Sequence, residues 1–150
     1  MFHDLQKQKT EATMLFLTHL TTLEPALLNR TGTAVKIVNE PYMALTVENI
    51  GLGPRGLPAL SICHYGEQNG DLMRDPEMCF ELEIEGDRLK EAHPYYFRND
   101  YAGFEQNAID EDTKIICARM IREQRAFSET WSRNLIEQGF LRAHQATKSA

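Results

Sequence analysis

Length, composition and charge set the first limits on this protein. Its 150 residues are the usual size of one domain, and we expect a single domain over residues 1–150. The chain is 42% hydrophobic and 25% charged, and no apolar run approaches the roughly 20 residues that span a bilayer. The net charge of −6 argues against direct nucleic-acid binding, because phosphate contacts need clustered Lys and Arg. The N-terminal residues lack the pattern of a secretory signal, so we expect a cytoplasmic location.

An amphipathic helix is predicted near the N-terminus, over about residues 10–28. Its apolar positions recur at steps of three and four: Phe16, Leu20, Leu23 and Leu27. Pro25 interrupts the pattern and is expected to kink or restart the helix, because proline lacks an N–H and crowds the preceding turn.

Strands are predicted in the middle of the chain, at residues 34–39, 42–50, 57–65 and 77–85, with a fifth near 95–98 and a sixth near 103–108. The segment 77–85 alternates apolar and polar residues, which predicts a strand buried on one side in an antiparallel sheet. The glycine-rich segment 51–56 is interpreted as a flexible strand connection, because its proline and the lack of a following helix do not fit a phosphate-binding loop.

A hairpin is predicted at Asn69 and Gly70, the residue pair that most readily adopts the positive φ angles of a type I′ turn. Pro76 cannot donate a hydrogen bond to a neighbouring strand, and Asp75 before it is driven toward extended geometry. Regular pairing of the second strand is therefore expected to begin only after Pro76.

A second helix is predicted after the acidic residues Asp110, Glu111 and Asp112, which suit a helix N-terminus. An apolar stripe, interpreted as core, continues to a stop at Gly139: Ile116, Met120, Phe127, Trp131 and Leu135. A polar tail is expected from His144. The element order predicts an α+β fold, an antiparallel sheet of about four to six strands with an N-terminal and a C-terminal helix packed on one face. The other face would be free for a partner or ligand.

Titratable side chains are concentrated in the segment 64–76. His64, Glu67, Asp71 and Asp75 are of the types that bind a hard divalent metal, although their spacing matches neither a helical His-x-x-x-His pair nor the EF-hand loop. Asp71 after Asn-Gly and Asp75 before proline are favoured in tight turns for reasons unrelated to a ligand, and the structural turn is the preferred interpretation. Cys63 and His64 are adjacent in a strand and are expected to point to opposite faces, which argues against a catalytic dyad.

The three cysteines are odd in number and widely spaced, and no C-x-x-C pair is present. They are interpreted as structural thiols rather than zinc ligands. No motif predicts a cofactor.

A second polar cluster contains Arg98, Asn99 and Asp100, with Tyr96 and other aromatic residues around it. Aromatic residues with Arg are typical of protein interfaces, and equally of core edges with a tyrosine hydroxyl in water. The residue types fit both interpretations.

Three motifs resemble a bacterial family of unknown function encoded on conjugative elements, plasmids and phages. They are HYxxxNGDxxxDP at 64–76, PxxFxNDxxG at 94–103 and FxxxWxxNLxxQGF at 127–140. The resemblance implies an accessory factor that binds a host or element protein, including antagonists of defence systems such as CRISPR or restriction, and it implies no catalytic residue. The alternative is a metal-assisted hydrolase or nuclease that uses residues 64–75. The candidate binding residues are His64, Tyr65, Glu67, Asn69, Asp71, Asp75, Tyr96, Arg98, Asn99 and Asp100.

Overall fold

The N-terminal part of the protein is helical. The computed structural model describes the backbone of residues 2–149 and the side chains of residues 11–149. Helix α1 spans Phe2–Leu23, and the short helix α2 spans Ala26–Asn29. Helix α1 ends before Pro25 and α2 begins directly after it, as predicted from the missing N–H of proline. No helix in the described part of the chain is long and apolar enough to cross a membrane.

A six-stranded antiparallel sheet follows, with its strands in sequential order. The strands are β1 (Ala34–Ile37), β2 (Leu45–Leu52), β3 (Pro58–Gln68), β4 (Asp71–Glu85), β5 (Arg88–Asn99) and β6 (Phe104–Asn107). Each strand pairs with the next one in the chain, which short connections make possible. The predicted α+β class with an antiparallel sheet is confirmed.

The β3–β4 hairpin differs from the prediction in where its pairing begins. Asn69 and Gly70 have φ angles of 52° and 85°, as a type I′ turn requires. Pairing starts at once, with Gln68 opposite Asp71, so the expectation that it begins after Pro76 is wrong. A register shift on β3 between Cys63 and Tyr65 leaves Pro76 outside the regular ladder, where its missing N–H is tolerated.

The C-terminal region contains two helices, α3 (Ala118–Glu137) and α4 (Phe140–Ser149). Asp110, Glu111 and Asp112 do not lie at the N-terminus of α3, so that prediction is wrong. Asp110 instead closes a turn, because its Oδ1 accepts hydrogen bonds from the N–H groups of Asp112 (2.9 Å) and Thr113 (2.8 Å). Gly139, at φ 90°, ends the helical run as predicted. The prediction of a polar tail from His144 is wrong, because helix α4 spans this segment and His144 is buried in it.

The hydrophobic core lies between the helices and one face of the sheet. It joins side chains of α1, α3 and α4 to inward residues of the central strands, including Phe16, Leu20, Leu60, Ile62, Met78, Phe80, Leu135 and Phe140. Trp131 belongs to this core, as predicted. Ile116 and Phe127, from the same predicted stripe, are exposed instead.

The opposite face of the sheet is partly covered at one end. Glu81 of β4 is 0% exposed, so the prediction that this strand is buried on one side only is wrong there. The β2–β3 loop folds over it, and the Glu81 carboxylate accepts hydrogen bonds from the N–H of Arg55 (2.8 Å), the Arg55 side chain (2.8 Å) and the N–H of Leu57 (3.3 Å). This loop is fixed by a buried carboxylate and is not the flexible connection that its glycines indicated.

Candidate functional site: an ion-pair network on the open sheet face

Polar side chains of β4, β5 and β6 meet on the face of the sheet that the helices leave open. Phe97 of β5 packs against Phe127 of α3, with ring centroids 4.9 Å apart. Successive strand residues point to opposite faces, so Tyr96 and Arg98 point away from the helices. The register places Arg98 between Glu77 of β4 and Glu105 of β6.

Arg98 is held in place by two carboxylates. Its Nε lies 2.6 Å from Asp100 Oδ1, and its Nη1 lies 3.4 Å from Glu105 Oε2. The Tyr96 hydroxyl donates a hydrogen bond of 2.9 Å to the same Glu105 oxygen. A guanidinium fixed on two sides loses less side-chain entropy when a further group binds to it.

Arg74 extends this arrangement toward the centre of the sheet. Its backbone N–H donates to Asp100 Oδ2 at 2.8 Å, and its Nε lies 3.2 Å from Glu77 Oε1. The Ser61 hydroxyl of β3 donates to the other Glu77 oxygen. These contacts form one connected group, called here the sheet-face network: Ser61, Arg74, Glu77, Tyr96, Arg98, Asp100 and Glu105.

Two titratable groups of the network have shifted pKa values. The backbone N–H of Arg74, followed by the Arg98 side chain, holds the pKa of Asp100 below its usual range. Burial, followed by the hydrogen bond to Glu105, raises the pKa of Tyr96 to about 12. Asp100 is therefore ionised and Tyr96 neutral at physiological pH. At these two positions the face presents a fixed negative charge and a neutral hydroxyl.

His64 does not belong to this network, although the sequence analysis grouped it with the hairpin residues. Its ring lies on the helix side, 5.7 Å from the Trp131 ring and 5.6 Å from the Phe140 ring, measured between centroids. Its Nδ1 lies 3.2 Å from the carbonyl oxygen of Ala44. Burial lowers the pKa of His64. Its contacts are those of a core histidine.

The adjacent thiol lies on the other face. Cys63 is opposite Glu77 in the β3–β4 register, and burial raises its pKa to about 12. A thiol with that pKa is protonated at neutral pH and is a poor nucleophile. The two adjacent side chains do not form a catalytic dyad.

The proposed metal ligands do not come together. Asp71 pairs with Gln68 beside the exposed hairpin turn, and Glu67 is exposed on the same hairpin. Asp75 Oδ1 instead accepts a hydrogen bond of 3.0 Å from Asn99 Nδ2. Among the side chains of residues 11–149, no three of the metal-ligating types form a group that could hold an ion. As the structure places them, His64, Glu67, Asp71 and Asp75 do not form a common metal site.

The Asp75–Asn99 hydrogen bond nevertheless joins the two polar clusters, which lie apart in the sequence. Asn99 Oδ1 also accepts from the N–H of Ala102 at 3.1 Å, so the amide fixes the turn that follows β5. On the same turn, the Tyr101 hydroxyl reaches the Glu67 carbonyl at 3.4 Å. The hairpin and the β5–β6 turn are thus one continuous surface.

Sequence reasoning missed four members of the sheet-face network: Ser61, Arg74, Glu77 and Glu105. Their residue types alone carry no signal, because charged strand residues are common on solvated faces. Their positions become informative only with the strand register. Glu77 stands opposite Arg98, which in turn stands opposite Glu105, and opposite charges directly across a sheet attract.

Two exposed apolar side chains lie beside the network. Tyr65 stands opposite Arg74 on the hairpin, and Leu72 stands opposite Glu67, so both project from the open face. Leu72 is 71% exposed. We call Tyr65 and Leu72 the apolar rim. An ordered charged group next to exposed apolar side chains gives this face both of the components found in protein interfaces.

The fold and this face define an α+β domain with an open antiparallel sheet that carries a fixed ion-pair network. Residues 11–141 match the family described as Domain of unknown function (DUF6908), and the chain belongs to that family. No curated protein and no solved structure shows significant similarity to the chain.

Proposed function

We propose that this protein is a non-enzymatic protein-binding factor whose contact surface is the open sheet face. The sheet-face network is the observation that carries the proposal, with the apolar rim and the β3–β4 hairpin as its border. The partner is a host protein or another protein of the mobile element that encodes the chain.

The chemistry of the network supports binding in two ways. Tyr and Arg are the residues that most often contribute large binding energies at interfaces, and Tyr96 and Arg98 stand side by side here. Both are already oriented by Glu105 and Asp100, so little conformational entropy remains to be lost on association. The apolar side chains of Tyr65 and Leu72 would shield the charged contacts from water.

Affinity capture tests this proposal directly. Tagged wild-type protein, Arg98→Ala and Tyr96→Ala are incubated with lysate of a bacterial host, and co-purifying proteins are quantified by mass spectrometry. Lys90→Ala is the matched control, because it removes an exposed charge from the other end of the same strand.

A partner retained by wild type and Lys90→Ala, and lost by both network variants, is the expected result. Circular dichroism must show that the variants keep their fold. Equal capture of the same proteins by all four would contradict the assignment to this face.

The cellular role we propose is antagonism of a defence system, CRISPR or restriction. Cells that carry either system are challenged with phage while they express wild type, Arg98→Ala or Lys90→Ala. Plaque counts should rise with wild type and Lys90→Ala and stay at the empty-vector level with Arg98→Ala. Unchanged counts in both systems would contradict antagonism of either one, while affinity capture would still test binding.

A further inference from the structure

The turn of the β3–β4 hairpin contains the one Asn-Gly pair of the sequence, Asn69 and Gly70. Both residues are exposed, and a Cβ added at Gly70 would have nothing within 4 Å. Because glycine has no side chain, its backbone nitrogen can approach a neighbouring group with less hindrance than that of any other residue. The nearest reactive carbon along the chain is Cγ of the Asn69 amide. A bond between that nitrogen and Cγ would close a succinimide ring.

The two groups that would react are both free in this turn. Among residues 11–149, the Asn69 amide takes part in no hydrogen bond, and the N–H of Gly70 donates to no acceptor. The φ of 52° at Asn69 is a left-handed conformation, which an L-residue adopts at a cost in energy. Exposed loop tips also open more readily than the strands that they join. Rotation of the Asn69 backbone toward ring closure therefore meets little resistance from the rest of the hairpin.

Three other asparagines have side-chain amides that hydrogen bonds hold in place. Asn39 Nδ2 donates to the Gln138 carbonyl at 2.8 Å. Asn49 Nδ2 donates to the Leu27 carbonyl at 2.9 Å. The Asn99 amide is held on both sides by the contacts described above. In each case the amide would have to break these bonds before it could react.

The remaining three asparagines are followed by a backbone nitrogen that is already engaged. The N–H after Asn29 donates to the Ala26 carbonyl at 2.9 Å, and the N–H after Asn107 donates to the Tyr95 carbonyl at 2.9 Å. Asn134 lies within α3, where the next N–H donates to the carbonyl one turn earlier. Within residues 11–149, the hairpin turn is thus the place where a free amide precedes a free and unhindered nitrogen.

We propose that Asn69 is a site of spontaneous deamidation in the folded protein. The backbone nitrogen of Gly70 loses its proton and attacks Asn69 Cγ. The new C–N bond closes the succinimide ring, and the side-chain nitrogen leaves with that proton as ammonia. Water then opens the ring at either of its carbonyl carbons, which gives aspartate or isoaspartate at position 69. Water is the only co-reactant.

Deamidation would change the hairpin in two ways. Both products place a new carboxylate at the tip, where Glu67 and Asp71 are already exposed. Isoaspartate also routes the main chain through the side-chain carbon and lengthens it by a methylene, which a type I′ turn cannot accommodate. The pairing of Gln68 with Asp71 should then be lost. The inference does not rest on the proposed function, since the reaction needs no partner.

The test follows purified full-length protein during incubation at mildly alkaline pH. Samples are digested briefly at acidic pH, and mass spectrometry detects the mass gained when an amide NH₂ becomes a hydroxyl. Chromatography separates the aspartate and isoaspartate peptides. A urea-unfolded sample gives the rate for the same sequence without the turn. Gly70→Ala is the matched variant, because it keeps Asn69 and adds a methyl group beside the attacking nitrogen.

The deamidated peptide of position 69 should accumulate with time and form faster as the pH rises, because the attacking nitrogen must lose a proton. Asn39, Asn49 and Asn99 should stay intact over the same period. Gly70→Ala should react several-fold more slowly. This variant strains the turn at a φ of 85°, so a slower reaction cannot come from a tighter hairpin.

Two results would overturn the inference. One is an Asn69 that stays intact in the folded protein, whether or not the urea-unfolded sample reacts there. The other is an equal rate in wild type and Gly70→Ala. Neither result bears on partner capture through Arg98, so the two proposals stand or fall separately.

Discussion

Gly53 and Glu81 are predicted to be energetically coupled, because the backbone of the β2–β3 loop passes directly over a buried carboxylate. A Cβ added at Gly53 would lie 2.3 Å from Glu81 Cγ and 2.7 Å from Cδ, far inside van der Waals contact. Glu81 cannot move aside freely, since it is 0% exposed and its carboxylate accepts hydrogen bonds from Arg55 and Leu57.

The expected magnitudes follow from these contacts. Gly53→Ala must either distort the loop or displace the Glu81 carboxylate. Overpacking of this kind costs about 1–3 kcal/mol. Loss of a hydrogen bond to the charged carboxylate would add about 1.5–3 kcal/mol. We expect Gly53→Ala to lower the free energy of unfolding by about 3 kcal/mol. Glu81→Ala should cost a similar amount, about 3 kcal/mol, because it leaves the loop N–H groups without their acceptor.

The double variant separates this explanation from a general loss of stability. Without the Glu81 side chain beyond Cβ, the methyl group at position 53 has room, so its additional cost should fall below about 1 kcal/mol. Urea unfolding of the four proteins measures the coupling. Gly66→Ala is the matched control, because its Cβ would meet the hydroxyl end of the exposed Tyr101 at 2.7 Å, which can move away. Additive costs in the double variant would refute the reasoning.

Three further predictions concern stability. Burial holds the pKa of His64 below its unfolded value near 6.5. As the pH drops below about 6.5, the unfolded state therefore takes up a proton before the folded state does. The free energy of unfolding should then fall by up to about 1.4 kcal/mol per pH unit. His64→Gln should show a shallower fall in urea titrations between about pH 5 and pH 7. Glu129→Ala should cost about 2 kcal/mol in urea unfolding, because the Glu129 carboxylate accepts from the N–H groups of Ala12 (2.8 Å) and Thr13 (3.2 Å). Gly70→Ala should cost about 1–2 kcal/mol by the same assay, because Gly70 has a φ of 85°; no loss would contradict the type I′ turn.

Local sequence signals predicted most of the fold. Pro25 and Gly139 mark helix ends through backbone chemistry that acts within one turn, and Asn69-Gly70 marks a hairpin for the same reason. Asp110 was misassigned because a carboxylate that caps a helix and one that closes a turn use the same hydrogen bonds to nearby N–H groups.

The candidate site was predicted only in part, since it depends on contacts between distant segments. Arg98 and Asp100 are neighbours in sequence and were singled out together. Their links to Arg74 and Glu105 depend on the register of three strands, which residue types do not specify. The prediction that His64 belongs with the hairpin residues is wrong, because its side chain points to the helix face. Trp131 and Phe140, from the C-terminal helices, pack against it there.

The order in which the strands pair also affects how the chain folds during synthesis. Every strand pairs with its sequence neighbour, so the sheet can grow hairpin by hairpin as the polypeptide leaves the ribosome. Helix α1 is made before the sheet, yet Thr13 forms hydrogen bonds with Ser128 and Glu129 of α3, which lie 115 and 116 residues later. The apolar side of α1, with Phe16 and Leu20, is therefore fully enclosed only after α3 has been made. In the nascent protein the apolar side of this helix is therefore open to chaperones and to premature association with other chains until α3 has been made.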